Sequence, residues 1–84
     1  PEDVALVVEV SDTTLAYDRD TKLPRYAVAG IPEVWVVDLE GRRIEVYSGP
    51  SADGYSVSVK SGPGEQARSE SVDELSVAVD EVLG

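Results

Sequence analysis

The chain of 84 residues contains no cysteine, no histidine and no methionine. Without cysteine it can form neither a disulfide nor a thiolate metal site. Without histidine it has no histidine general base, no Ser-His-Asp triad and no histidine-ligated zinc. Any metal site must therefore use oxygen ligands, which favours a hard cation such as Mg²⁺ or Mn²⁺. Because the chain begins with Pro1 and lacks methionine, we expect it to be part of a longer protein.

Positive charge is also scarce, since 7 lysines and arginines face 17 acidic residues and the net charge is −10. An acidic surface repels nucleic acid, so DNA binding would need divalent cations and local basic residues. The simpler interpretation is a well-solvated surface. No apolar run is long enough to span a membrane and no signal peptide is visible, so we expect no membrane contact. The length predicts one small domain over residues 1–84.

The apolar pattern predicts alternating element types in the first half of the chain. Leu6 to Val10 is rich in β-branched residues and predicts a strand. A helix is expected from an N-cap near Asp20 or Thr21, with Pro24 in or just beyond its first turn, where proline is tolerated. Gly30, followed by a proline at position 32, predicts the end of this helix.

The second half predicts a meander and a final helix. EVWVVD (33–38) reads as an apolar strand, Glu40-Gly41 as a tight turn, and residues 43–47 and 55–60 as half-buried antiparallel strands. Residues 61–70 look like a loop, and a helix is expected over 71–83, capped by Ser71 and Glu74. The predicted order β-α-β-β-β-α gives an α/β (α+β) fold with a mixed sheet covered by helices.

Three residues are candidates for chemistry, each with a simpler alternative. Glu9 interrupts an apolar strand, either because it lies at a solvated edge or because it is a metal ligand on a rigid element. Lys22 is either an exposed helix lysine or a cation that stabilises a phosphate oxygen or orients a water. Tyr26, one helical turn later, packs in the core or joins the same site.

Four further residues have weaker signals. Asp18 fits a loop or capping position, Trp35 a core position, and Asp38 a turn after its strand. Arg42 and Arg43 could contact a phosphate backbone, but two arginines in a hairpin turn are weak evidence. Pattern alone therefore stops at a small α/β domain with one unusual strand glutamate.

The run VVEVSDTTLAYDRDTKLPRYAVAGIPEVWVVDLEGRRIEVY (7–47) resembles the Uma-two family of bacterial restriction endonucleases, which belong to the PD-(D/E)XK nuclease superfamily. The closing DELSVAVDEVLG fits the family's C-terminal end. The resemblance implies a restriction-endonuclease-like sheet, a cytoplasmic bacterial protein, a homodimer, and Mg²⁺- or Mn²⁺-dependent hydrolysis of DNA phosphodiesters.

By this resemblance Glu9 takes the place of the family's metal-binding glutamate, with the carbonyl of Val10 as a further ligand. Ser11 stands where the superfamily's usual lysine would be, and Lys22 on the following helix takes over its role. Lys22 would then orient the attacking water, with Tyr26 beside it, and Arg42 and Arg43 would contact DNA.

The resemblance also has a gap at its N-terminal side. The family's first metal-binding aspartate is expected upstream of Pro1, and Ala5 stands where the family often has a second aspartate. The domain is thus expected to be partial and, by itself, inactive. The alternative function is a non-catalytic folding or self-association module, in which an exposed apolar sheet edge pairs with another copy.

Overall fold

The computed structural model describes residues 6–11, 15–72 and 74–83. Their elements run in the order β1 (Val7–Ser11), α1 (Leu15–Val28), β2 (Glu33–Asp38), β3 (Arg43–Ser51), β4 (Gly54–Ser61), β5 (Gln66–Arg68), β6 (Ser76–Ala78) and α2 (Val79–Leu83). This confirms the predicted α/β class and its mixed sheet, and it adds two short strands near the C-terminus. Among these residues no helix is long and apolar enough to cross a membrane.

The main sheet has the strand order β1-β2-β3-β4. β1 pairs in parallel with β2, and β2, β3 and β4 pair in antiparallel fashion. The predicted βαβ unit followed by a meander is therefore confirmed. All six residues of β2 are buried, because this strand lies inside the sheet and both its faces are covered. β1 has one neighbouring strand among the described residues, which makes it an edge strand there.

Two apolar clusters lie on opposite faces of the sheet, as strand alternation requires. The first contains Leu23 of α1 with Val34 and Val36 of β2, and we call this side the α1 face. The second contains Trp35 and Val37 of β2, packed against the C-terminal segment. Trp35 is 4% exposed, which confirms its predicted core position.

The predicted end of α1 is confirmed in detail. Gly30 has a φ of +80°, and its amide bonds the carbonyl of Ala27 at 3.0 Å. The amide of Ile31 bonds the carbonyl of Tyr26 at 3.1 Å, which completes a Schellman motif. A Cβ atom at position 30 would meet no atom within 4 Å, so glycine is favoured there by the backbone angle alone.

The predicted start of α1 is wrong. The helix begins at Leu15 rather than near Asp20 or Thr21, so Pro24 is the tenth of fourteen residues and not a first-turn proline. Proline inside a helix removes one hydrogen bond and clashes with the preceding turn. Packing against the sheet compensates, because Leu23 and Ala27 on either side of Pro24 are buried while Pro24 itself is exposed.

The predicted C-terminal helix over 71–83 is also wrong. Ser76–Ala78 forms β6, which pairs with β5 inside the stretch expected to be a loop, and the helix covers only Val79–Leu83. Glu74 has a φ of +65°, which is incompatible with a helix interior, so the expected capping box does not form. The amide of Ser71 instead bonds the buried carboxylate of Glu33 at 2.7 Å. Tertiary contacts here override local helix propensity.

Candidate active site

Glu9 lies on the α1 face of β1, in register with Val36 of β2. Val8 and Val10 point to the other face and are 54% and 62% exposed. The Glu9 side chain is 26% exposed, so it is partly shielded by its neighbours. The sequence predicted either a solvated edge or a ligand on a rigid strand. Within the described residues the structure gives Glu9 an edge-strand position together with specific side-chain partners from α1.

Two of those partners are the residues singled out from the sequence. Lys22 Nζ lies 3.5 Å from Glu9 Oε2. The hydroxyl of Tyr26 donates a hydrogen bond to Glu9 Oε1. Lys22 and Tyr26 are four residues apart and thus share one helix face, which α1 presents to β1. Each oxygen of the Glu9 carboxylate therefore has its own partner.

The carboxylate also changes the acidity of the tyrosine. The hydrogen bond to Glu9, then partial burial and the negative charge of Glu9, raise the pKa of Tyr26 to about 12. Tyr26 consequently keeps its proton at neutral pH and acts as a donor to Glu9. The ion pair with Lys22 is more accessible, because the Lys22 side chain is 44% exposed. Lys22 can therefore turn towards a bound anion at little cost.

A second polar cluster lies on the same face and was not predicted from the sequence. Arg43 Nε is 3.0 Å from Glu45 Oε2 and 3.5 Å from Asp38 Oδ2. The hydroxyl of Tyr47 donates a hydrogen bond to Glu45 Oε1. Glu45 is completely buried, although its alternation with Ile44 and Val46 predicted an exposed position. The only sequence signal was the opposite charge of Arg43 and Glu45 two residues apart.

The two arginines of the β2–β3 turn have different surroundings. Arg43 is held by the two carboxylates with its side chain 37% exposed. Arg42 is exposed and has a φ of +54°. Asp38 organises this turn as predicted, because its Oδ1 accepts the amide of Gly41 at 2.8 Å. A contact of Arg42 or Arg43 with DNA stays a prediction. The backbone of Asp18 lies in α1, but its side chain is outside the described part of the chain.

The described residues do not by themselves form a metal site. Glu9 offers one carboxylate and Val10 one backbone carbonyl, and both are oxygen donors suited to a hard cation. Within residues 6–11, 15–72 and 74–83, no group of three or more acidic residues is arranged to hold a metal ion. Asp38 and Glu45 are engaged by Arg43 and their side chains are 5% and 0% exposed, against 26% for Glu9. A complete Mg²⁺ shell would therefore need ligands from outside these ranges.

The fold and the Glu9 cluster define a small α/β domain with a carboxylate–lysine pair on one sheet face. Residues 1–80 match the Uma2 family, described as "Putative restriction endonuclease". The chain therefore belongs to this family. A comparison with curated proteins found no significant match. Membership indicates a nuclease with DNA as its substrate and is compatible with a metal cofactor.

Proposed function

We propose that this chain carries part of the active site of a Mg²⁺-dependent DNA endonuclease, in which Glu9 and Lys22 are catalytic residues. The observation that carries the proposal is the Lys22 Nζ–Glu9 Oε2 distance of 3.5 Å between a strand and a helix. A carboxylate paired with a lysine suits phosphodiester hydrolysis, because one binds a cation and the other stabilises phosphate charge.

Each residue has a defined role in this proposal. Glu9 and the Val10 carbonyl would hold a hard divalent cation, together with ligands outside the described ranges. When bound, such a cation neutralises phosphate charge and makes a water molecule more acidic. Lys22 donates hydrogen bonds to a non-bridging phosphate oxygen and orients the attacking water. Tyr26 keeps the Glu9 carboxylate in one orientation through its hydroxyl and is therefore a positioning residue.

The test is a plasmid-nicking assay on the intact protein with Mg²⁺ or Mn²⁺. Glu9→Gln and Lys22→Gln should each lower the rate by at least about a hundredfold, because each removes a charge that acts on the reacting phosphate. Tyr26→Phe should lower it by about tenfold, since it removes only an orienting hydrogen bond. Two exposed residues far from the cluster provide matched controls, Glu81→Gln and Arg68→Gln.

Equal nicking rates for Glu9→Gln and Glu81→Gln would show that the site assignment is wrong. Calorimetric titration with Mn²⁺ gives a readout independent of turnover. Wild type should bind Mn²⁺ more tightly than Glu9→Gln, whereas Lys22→Gln should retain the metal or bind it more tightly because a competing cation has been removed.

A second candidate function is self-association, favoured by the exposed side of β1. Val8 lines an apolar groove of about 240 Å³ together with Trp35, Val77 and Val82, and Val10, on the same side of β1, is 62% exposed. A strand edge next to apolar surface tends to pair with another chain. Sedimentation equilibrium would decide this: a monomer at high concentration excludes it, and a dimer weakened by Val8→Lys supports it.

A further inference from the structure

Lys60 lies on the same sheet face as the Glu9 cluster. The strand registers align Glu9 with Val36, Val36 with Glu45, and Glu45 with Lys60. Residues paired across neighbouring strands point to the same side of a sheet. The four residues therefore form one row across the α1 face, which spans three strand spacings, or about 14 Å. Glu9 lies at one end of this row and Lys60 at the other.

The ammonium of Lys60 has no partner within the part of the chain that the structure describes. Lys60 is exposed, and among the described residues it takes part in no ion pair or side-chain hydrogen bond. The carboxylate directly opposite, that of Glu45, already accepts hydrogen bonds from Arg43 Nε and the Tyr47 hydroxyl. A lysine that faces an already engaged buried carboxylate remains available for an external anion.

Arg43 provides a second cation beside Lys60. It lies two residues before Glu45 on β3, and such diagonal neighbours are about 7–8 Å apart. Its guanidinium is fixed by Asp38 and Glu45, and the side chain as a whole is 37% exposed. In a chain with a net charge of −10, the positions of the few cations decide where a polyanion can approach.

Val36 and Glu45, in the middle of this row, are buried, so DNA can reach only its two ends. We infer that Lys60, at the β4 end of the row, contacts the phosphate backbone of the DNA substrate. The inference rests on the nuclease function proposed above. Such a contact is independent of sequence, because phosphate contacts position a duplex without reading its bases. Lys60 is therefore a substrate-positioning residue rather than a catalytic one.

The experiment measures binding of a fixed DNA duplex to the intact protein at several salt concentrations. Ca²⁺ replaces Mg²⁺, so that a cation is present without turnover. Lys60→Ala should weaken binding equally for different sequences and reduce the slope of log Kobs against log salt by about 0.9, the value for one lost phosphate contact. Lys60→Arg should restore the slope, because it restores the charge.

Arg68→Ala is the matched control, since Arg68 is an exposed cation in the β5–β6 hairpin on the other face. Equal slopes for Lys60→Ala and Arg68→Ala would overturn the inference. In the nicking assay Lys60→Ala should raise KM and leave kcat unchanged, because its contact is the same in the ground and transition states.

The two proposals fail in different ways. If wild type nicks DNA, Glu9→Gln does not, and Lys60→Ala behaves as wild type in both assays, then the nuclease site stands and the Lys60 inference falls. If wild type neither binds nor nicks DNA, both fall. A Lys60→Ala variant with lower kcat but an unchanged salt slope would also contradict a backbone contact.

Discussion

At the scale of single residues, the most informative contact is the hydrogen bond from Tyr26 to Glu9. It connects α1 to β1 and involves a carboxylate that the sequence alone could not explain. The same contact raises the pKa of Tyr26 to about 12, because ionisation would place a phenolate beside a carboxylate. Tyr26 therefore reports on the electrostatics of the candidate site without any need for substrate.

We expect Glu9→Gln to lower the pKa of Tyr26 towards its ordinary value of 10.0, because the charged acceptor is lost and only burial and the neighbouring Tyr55 still raise it. Titration of ¹³C-labelled tyrosine rings by NMR would measure this. Tyr55 is the internal control: burial raises its pKa, and its hydroxyl donates to the carbonyl of Ile31 at 2.7 Å, so it should titrate nearly as in wild type.

The sign of the effect on stability follows from the raised pKa of Tyr26. Tyr26 contributes to the free energy of unfolding at pH values below 10.0, its pKa in the unfolded chain. This contribution is lost as the pH rises through about 12, its pKa in the folded protein. Tyr26→Phe should remove this alkaline decline in the free energy of unfolding. An unchanged Tyr26 titration in Glu9→Gln would mean that the carboxylate does not face the hydroxyl.

At the scale of elements, Glu33 joins β2 to the segment that precedes β6. Its Oε1 accepts the Ser69 hydroxyl at 3.0 Å and the amides of Glu70 and Ser71 at 2.9 and 2.7 Å. Its Oε2 accepts Trp35 Nε1 at 2.5 Å. Burial alone would raise the pKa of Glu33, but hydrogen bonds, with that from Trp35 the strongest, hold the pKa below its ordinary value.

We expect Glu33→Gln to lower the free energy of unfolding by about 2–3 kcal/mol near neutral pH. The new amide would oppose the Trp35 N–H with a second donor, and the charge-assisted bonds to the loop would be lost. Urea denaturation measures the change, with the exposed Glu81→Gln as control. A loss no larger than that of the control would contradict the structural role of Glu33.

The pH dependence of this effect has a defined direction. Folding lowers the pKa of Glu33. Its contribution to the free energy of unfolding is therefore present above pH 4.5, its ordinary pKa, and is lost as the pH falls through the lower pKa of the folded protein. The difference between wild type and Glu33→Gln should therefore narrow in acid. A difference that widens below pH 4.5 would show that the native carboxyl is protonated more easily than in the unfolded chain.

At the scale of the whole molecule, the net charge of −10 dominates. Like charges on a small domain destabilise the compact state, and salt screens them. Between about 0.05 M and about 0.5 M NaCl the Debye length falls several-fold, so stability should rise by on the order of 1 kcal/mol. Urea midpoints at the two salt concentrations measure this, and a lower midpoint in high salt would contradict it. The loss of the exposed Lys22–Glu9 attraction in salt is a smaller effect.

Within the described part of the chain, the protein's few cations include those paired with acidic residues of the fold and those that can bind an external anion. Lys22 and Arg43 already have acidic partners, whereas Lys60 has none among the described residues. Salt should therefore stabilise the fold while it weakens DNA binding. These opposite trends arise because screening reduces repulsion within the protein and also attraction to the phosphate backbone.

Local sequence signals predicted the elements whose patterns agree with their surroundings. The run VWVV predicted a buried strand, Gly30 predicted the end of α1, and Asp38 predicted a turn. The spacing of Lys22 and Tyr26 predicted a shared helix face. In each case the physical cause is contained within a few residues, so that backbone geometry and alternation are enough.

Local sequence signals gave wrong predictions where contacts with the rest of the fold determine the structure. Pro24 suggested a helix start, but α1 begins at Leu15 and keeps Pro24 in its interior, with Leu23 and Ala27 buried on either side of it. Ser71 and Glu74 suggested a helix N-cap, but the amide of Ser71 donates its hydrogen bond to Glu33, 38 residues away. Glu45 seemed to point outwards, but Arg43 and Tyr47 satisfy its carboxylate inside the protein.

The sequence by itself determined the chemistry that is possible here: oxygen ligands only, few cations, and one carboxylate within an apolar strand. Only the tertiary structure decided which groups meet. It placed the Glu9 carboxylate against Lys22 and Tyr26, which are 13 and 17 residues further along the chain. The reason is that parallel strands require a crossover, and the helix of that crossover returns over the sheet and carries its side chains onto the first strand.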